Sequence, residues 1–225
     1  MDFAICLQFS WIFSISLLIF CFLSRRLATL LDFHINYKNL SNVFSGITCA
    51  FAQPESSVVD IGCSTGRFLS NLPKTKNCKY IGIDESTLQN SFNNFDFIES
   101  DIEKALPDIK NISVIVSMFT LQFLGKLKRE RVLAKIKERI NKGAVFLVAE
   151  KVYLDDPVIQ TLVHKMHIQE KRKSFTDEDI LNKDTQLAVS MFCKTEKQLT
   201  TELNKIGNVS KIWQSYNFMG FCVKS

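Results

Sequence analysis

The residues with chemical reach stand at the ends of short apolar runs. Val58-Val59-Asp60-Ile61 leads directly into Gly62-Cys63-Ser64-Thr65-Gly66, a strand entering a glycine-bearing turn. Asp84, followed by Glu85, closes a second apolar run from Tyr80 to Ile83, and Asp101-Ile102 follow a third, Phe95 to Glu99. A turn that lets backbone approach a ligand, then a carboxylate that can accept bonds from ribose hydroxyls, describes a nucleotide-binding crevice. Alone, each acid is an ordinary helix cap or solvated loop residue. Three acids at the ends of successive strands are a different matter, because ligands of open α/β sheets bind where strand C-termini converge.

The turn admits three chemistries. A nicotinamide-binding turn wants glycine at its first, third and sixth positions, which here are Gly62, Ser64 and Arg67, and an arginine would crowd the contact between helix and strand. A nucleophile elbow, G-x-S-x-G, would make Ser64 an acyl-transfer nucleophile. Too little sheet precedes it, no His-Gly-Gly-type loop supplies an oxyanion hole, and Asp84 would go unexplained. His164 and His167 lie downstream, but in a charged helical stretch where solvated histidines are common. The third chemistry is an S-adenosylmethionine (SAM) turn. Small residues at 62, 64 and 66 would admit backbone amides to the methionine part of the cofactor, Asp60 would order the turn, and Ser64 would bond a polar group. Asp84 would take the ribose hydroxyls, Asp101 the adenine amine, and Ile102 the ring face.

The elements that must position these groups alternate between strand and helix. A helix over Leu40 to Phe51 precedes strand Val58 to Ile61; Arg67 to Leu72 is a short helix stopped by Pro73. Strands follow at Lys79 to Ile83, Phe95 to Glu99, Ile112 to Val116 and Ala144 to Ala149. Lys126 to Ile140 is an amphipathic helix whose apolar residues are Leu127, Val132, Leu133, Ile136 and Ile140. Residues 155–195 form a charged helical insertion, and Glu196 to Ile206 is a last helix before Gly207. Val209 to Trp213 and Phe218 to Val223, separated by a short link, predict a hairpin that places an antiparallel strand at one sheet edge. The fold class is therefore α/β, a doubly wound, mostly parallel, seven-stranded sheet closed by a C-terminal antiparallel hairpin.

Length and composition bound the rest. The chain has 225 residues, 23% charged and 46% hydrophobic, enough for one sizeable core once the N-terminal segment is set aside. Its net charge of +5 favours an anionic partner without specifying one. Seven cysteines without a CxxC pair fit free, mostly buried thiols in a reducing compartment, and argue against structural zinc. Residues 3–24 carry no charged side chain, and Arg25-Arg26 follow. Such a run is long enough to span a bilayer, with the arginine pair keeping the body of the chain cytoplasmic. Residues 1–36 also read as an apolar helix packed on the body or as a leader outside the working protein, leaving 37–225 as the SAM-binding domain.

The chain resembles the carboxy-S-adenosyl-L-methionine (carboxy-SAM) synthase family of tRNA wobble-uridine modification. The resemblance rests on Val59-Asp60-Ile61-Gly62-Cys63-Ser64, Asn77-Cys78-Lys79, Ile83-Asp84 and Glu150-Lys151. The most discriminating string is Phe119-Thr120-Leu121-Gln122-Phe123-Leu124, supported by Met166-His167, Lys171-Arg172, Ile212-Trp213 and Asn217-Phe218. It runs from about Tyr37 to the C-terminus, and it implies a Rossmann-like methyltransferase fold. It also implies conversion of SAM and prephenate into carboxy-SAM, which a partner enzyme uses to carboxymethylate hydroxyuridine in tRNA, and a homodimer. It carries a cofactor-binding role onto Tyr37, Gly62, Cys63, Ser64, Asp84, Asp101 and Ile102, with Asp60, Glu85 and Met118 beside them. Before Tyr37 the apolar leader replaces the family's N-terminal segment, and the sequence departs from the family at three further places. Asp184 stands where the family has the arginine that grips the carboxylate, so it would repel that group; neighbouring Lys183 offers only a point charge. Met118 replaces the family's asparagine. The link between Asp84 and Asp101 is short, which predicts a trimmed helix over the adenine side.

Overall fold

The computed structural model describes residues 37–74, 77–85 and 94–225. The apolar N-terminal segment, with the membrane-span and leader readings, lies outside the described residues, as does most of the short link after Asp84. Among the described residues no helix is long and apolar enough to cross a membrane.

Seven strands run side by side in the order β3 (Asp96–Glu99), β2 (Lys79–Asp84), β1 (Ser57–Ile61), β4 (Ile112–Met118), β5 (Val145–Tyr153), β8 (Phe218–Lys224), β7 (Asn208–Ser215). An eighth strand, β6 (Lys194–Thr195), pairs with the end of β5 off this path. Sequence reading missed it because two residues carry no periodicity. The antiparallel strand is also not where the hairpin predicted. β8 inserts between β5 and β7 and runs antiparallel to both, so the edge strand β7 is parallel to the first five. After β1 the chain runs outward through β2 and β3, then returns to the other side of β1 as β4. This reversal between β1 and β4 is the topological switch point of the sheet.

Both faces of the sheet are covered, which is why β1 is buried along its whole length. On one face Leu40 and Phe44 of α1 (Tyr37–Phe51) and Phe68 and Leu69 of α2 (Arg67–Ser70) pack on Val58, Val114, Val116 and Leu147. Asn39 Oδ1 accepts from Trp213 Nε1 at 2.9 Å and ties α1 to β7. On the other face α3 (Ile102–Ala105), α4 (Lys126–Ile140) and α7 (Glu196–Leu203) cover Val59, Ile61, Ile83, Phe146 and Val148. Each large side chain buried here contributes about 1.5–3 kcal/mol. The remaining helices, α5 (Pro157–Lys171) and α6 (Asp177–Ser190), make up the insertion. Of the five described cysteines only Cys63 is buried; the others are half-buried.

One inward position of α4 corrects the amphipathic reading. Leu127 is 69% exposed, and Arg129 takes the buried place one turn before Val132 and Leu133. Arg129 Nη1 donates to Glu150 Oε2 at 3.1 Å, while Nε and Nη2 donate to Glu202 Oε2 at 2.9 and 2.7 Å. Glu150 Oε1 lies 2.8 Å from Nη2, a charge contact rather than an aligned hydrogen bond. The network joins α4, β5 and α7. It also explains why β5 continues past Ala149, where polar Glu150 and Lys151 end the apolar run. Burial pushes the Glu150 carboxyl up, with Arg129 pulling the other way. Asp60 in β1 is pushed well up by burial and by the charge of Asp84.

These two acids generate tests by urea denaturation. Arg129→Met would strand Glu150 as a buried charge, at an expected cost of about 3–5 kcal/mol. That deficit should grow with pH, because only a protonated Glu150 tolerates the loss. Asp60 titrates higher folded than unfolded, so its contribution is complete below the ordinary aspartate range and is lost as pH rises through its folded pKa. Asp60→Asn should therefore lose less stability than the parent as pH rises above the ordinary aspartate range. Parallel stability curves would show that the buried charge is compensated.

Candidate active site at the switch point

Two loops meet where the sheet reverses. The first follows β1 and is a turn with three left-handed residues: Gly62 (φ 70°), Ser64 (φ 48°) and Gly66 (φ 66°). A β-carbon at Gly62 would run into the Thr120 side chain, and one at Gly66 into the Phe95 ring. Both glycines thus make room for neighbouring side chains as well as for a left-handed backbone. The turn is laid across the end of β2. Gly62 and Cys63 amides donate to Ile83 O at 2.7 and 3.1 Å, Ser64 N donates to Asp84 Oδ2 at 2.8 Å, and Gly66 N closes onto Cys63 O. These four amides hold the turn together. That differs from the expectation that they approach a ligand, and it places Asp84 as the group that organises the loop.

The second loop follows β4 and is the Phe119–Leu124 string. Phe119 adopts φ 59°, which is costly for an aromatic residue and marks a tightly determined site. Its amide donates to Ala149 O at 2.8 Å, and its ring stands edge-on to Phe218 at 5.7 Å. Thr120 Oγ1 lies 3.3 Å from both Gly62 O and Met118 O, joining the two loops. Gln122 is buried; its Oε1 accepts from Lys151 N at 2.8 Å and its backbone carbonyl accepts from Phe192 N at 2.7 Å. The string therefore holds the far end of the insertion against β5.

The acids expected to share the crevice take distinct places. Asp60 is buried beneath the turn, close enough to Asp84 for its charge to be felt. Cys63 is buried there too, and burial with the two aspartates pushes its thiol far up, so it is no nucleophile. Asp101 is the N-cap of α3: Oδ1 accepts from Glu103 N at 2.7 Å, and Oδ2 pairs with Lys128 Nζ at 2.7 Å. Burial would raise its carboxyl, but Lys128 and the Glu103 amide outweigh that and hold it below the ordinary range. Lys128 also reaches Glu85 Oε1 at 2.8 Å, so Glu85 and Asp101 share one cation across the ends of β2 and β3. Asp101 as a helix cap departs from the picture of a carboxylate turned to an adenine amine. Ile102 lies in the core, 5% exposed, rather than on an open wall. Tyr37 begins α1 with the Arg67 guanidinium 5.5 Å from its ring, and Met118 ends β4, half-buried, opposite Ala149.

No acyl-transfer constellation forms. Among the described residues the Ser64 hydroxyl has no histidine partner. His164 Nε2 lies 4.0 Å from Asp184, and His167 is buried edge-on to Tyr216, contrary to the solvated position expected of it.

Sequence reasoning missed a lysine cluster on the same rim. Lys151 lies two residues past Ala149, the register partner of Met118, and its ammonium sits 5.9 Å from the Phe218 ring centre. Burial holds Lys151 below the ordinary lysine range, with Lys171 adding repulsion; Cys193 and Asp184 pull the other way. Lys183 is lowered by burial and by Lys171 in the same manner. Asp184 does not stand as an unmatched carboxylate, because its Oδ1 pairs with Lys171 Nζ at 2.7 Å. Lys171 thus pairs with Asp184, while both Lys151 and Lys183 feel the Lys171 charge. Phe218, which touches Phe119, Lys151 and His167, connects this cluster to the switch-point loops. The signal available in the sequence was Lys151 at the end of an apolar strand, facing a helical insertion that brings more lysines.

Comparison with known proteins agrees with this arrangement. A family model described as a methyltransferase domain matches residues 23–193. The carboxy-S-adenosyl-L-methionine synthase of Idiomarina loihiensis is 32% identical over 198 residues, covering 81% of this chain and 82% of its own. The enzyme of the same name from Shewanella sp. strain W3-18-1 is 29% identical over 197 residues, with 81% of each chain covered. Among solved structures, the magnesium protoporphyrin IX methyltransferase of Synechocystis PCC 6803 with bound SAH superposes with TM-score 0.53 at 12% identity, over 84% of each chain. Human N-acetylserotonin methyltransferase in complex with SAM gives TM-score 0.54 at 15% identity, covering 82% of this chain and 50% of that one. These two share the fold. With a parallel sheet reversing at β1/β4, a glycine turn braced by Asp84 and relatives of this similarity, the chain belongs to the carboxy-S-adenosyl-L-methionine synthase family of methyltransferase-fold proteins.

Proposed function

We propose that the β1/β4 crevice binds SAM and that the chain uses it with a small carboxylate substrate, prephenate, to form carboxy-SAM for wobble-uridine modification. The residues present suit such a cofactor. Asp84, held in place by the Ser64 amide, is the acceptor for the ribose hydroxyls. The Gly62–Ser64 turn, Tyr37 and Met118 line the methionine side, with Asp60 beneath the turn; Glu85 and Asp101 bound the adenine side. When bound, SAM supplies a sulfonium that activates the carbon attached to it.

The observation that carries the carboxylate part is the lysine cluster. The half-buried Lys151 ammonium beside Phe218, disfavoured by burial and by Lys171, is stabilised by an arriving carboxylate, which replaces lost hydration with direct charge-assisted bonds. In this reading Lys151 and Lys183 receive the carboxylate in place of the family's arginine, while Lys171 neutralises Asp184. A second reading, plain methyl transfer, is favoured by one feature. Lysines are point charges and lack the two-pronged geometry of a guanidinium, so discrimination for carboxy-SAM over SAM is weaker. The exposed stripe Val158, Ile159, Leu162 and Met166 on α5 is the surface that a second copy would cover in a homodimer.

Mass spectrometry of the nucleoside released from the purified protein separates the two readings: carboxy-SAM supports the synthase, SAM or its demethylated product supports methyl transfer. Asp84→Ala should abolish stabilisation by either compound, and unchanged affinity would remove the crevice assignment. Lys151→Met should leave SAM affinity unchanged and weaken carboxy-SAM by about tenfold, a difference of about 1.4 kcal/mol. In the parent, carboxy-SAM affinity should fall as pH rises through the lowered Lys151 pKa, and the variant should lose that dependence.

A further inference from the structure

A strongly charged concavity lies outside the crevice, between the first turns of α4 and the α7 segment. It encloses about 390 Å³, at the lower end of the range of about 300–1,000 Å³ typical of small-molecule sites. Five cationic side chains and two carboxylates line it. At its floor the Arg129 fork is saturated by Glu150 and Glu202, and Lys194 Nζ lies 3.4 Å from the other oxygen of Glu202. The floor is therefore rigid, and Glu202 is neutralised from two sides. On the wall remain Lys126, Lys197 and Lys205 against the single carboxylate of Glu130. Among the described residues none of these three lysines forms an ion pair. Gln198 adds an amide whose oxygen already accepts from Thr195 N at 3.0 Å, so its nitrogen is the end left to donate.

Three like charges converging on a concave wall raise its potential and draw multivalent anions. Three point-charge donors set around a small volume suit a tetrahedral, multiply charged oxyanion better than a planar monocarboxylate, which a guanidinium fork grips best. The volume suits one such group, or two joined. We infer that the groove lined by Lys126, Lys197 and Lys205 is a binding site for a small phosphate-bearing anion of pyrophosphate size. It is separate from the adenosyl crevice yet adjoins it through α4, whose Lys128 turns the other way to Asp101 and Glu85. The inference stands on the groove's own geometry and is independent of the proposed reaction.

Calorimetric titration of the whole protein with inorganic pyrophosphate at low ionic strength tests it. The parent should bind one equivalent, and the variant Lys126→Ala/Lys197→Ala/Lys205→Ala should bind at least about tenfold more weakly. A control variant, Lys104→Ala/Lys137→Ala/Lys142→Ala, removes the same charge from other exposed positions and should bind like the parent. SAM titrated into each sample reports that the crevice and the fold are intact. No heat in the parent, or an equal loss in both variants, would overturn the site, the latter by showing attraction to net charge alone. Failure of SAM to bind, with pyrophosphate behaviour as expected, would count against the proposed function and leave this site standing.

Discussion

The structure depends on a narrow contact between two loops that belong to opposite halves of the sheet. Gly62 carries no β-carbon, and the space that one would fill is taken by Thr120. This lets the loop after β4 close onto the loop after β1, with Thr120 Oγ1 3.3 Å from Gly62 O. The same turn is fastened to the third partner, β2, through Ile83 O and the Asp84 carboxylate. Three strand ends are thereby locked at the point where the sheet changes direction. Any larger residue at 62 would both strain a left-handed backbone and push the β4 loop outward.

That lock explains why the aspartate pair is arranged as it is. Asp84 is held by an amide at a rim, and Asp60 lies below it, buried, with its carboxyl pushed up by burial and by Asp84. Burial and the neighbouring Asp84 charge both disfavour the ionised form of Asp60, the deeper of the two carboxyls. The α4 helix supplies the matching electrostatics on the other side. Its consecutive residues Lys128 and Arg129 serve two different acid groups, Asp101 with Glu85 and Glu150 with Glu202. One helical turn thus links the ends of β2 and β3 to the sheet core and to the α7 groove.

Much of this was legible in the sequence, for physical reasons that can be named. Apolar runs of four to seven residues gave β1, β2, β4 and β5, because these strands are buried on both faces. Order in the sheet was less legible. The short link between β7 and β8 predicts a hairpin equally well whether β7 or β8 is at the edge, and only tertiary packing decides it. Buried charge hid from periodicity for a different reason. Arg129 and Glu150 read as surface residues in isolation, and their inward placement follows only from each other. The same holds for Asp101, whose value as an N-cap and as a partner of Lys128 depends on helices that the sequence places but does not orient.

The exchange at Asp184 illustrates how such coupling changes the meaning of a single residue. Considered alone, an aspartate in place of a carboxylate-gripping arginine inverts the charge of the site. In the folded chain its partner is Lys171 at 2.7 Å, and the pair is close to neutral. Beside Phe218 the remaining cation is Lys151, and both it and Lys183 are held below their ordinary range by burial and by Lys171. A lysine in that condition is unusually sensitive to an incoming anion, since the anion removes the repulsion and replaces the lost hydration in one step. In the proposed reading a carboxylate is received by a cluster of point-charge donors in place of one rigid fork, which keeps attraction to the charge while relaxing control over its orientation.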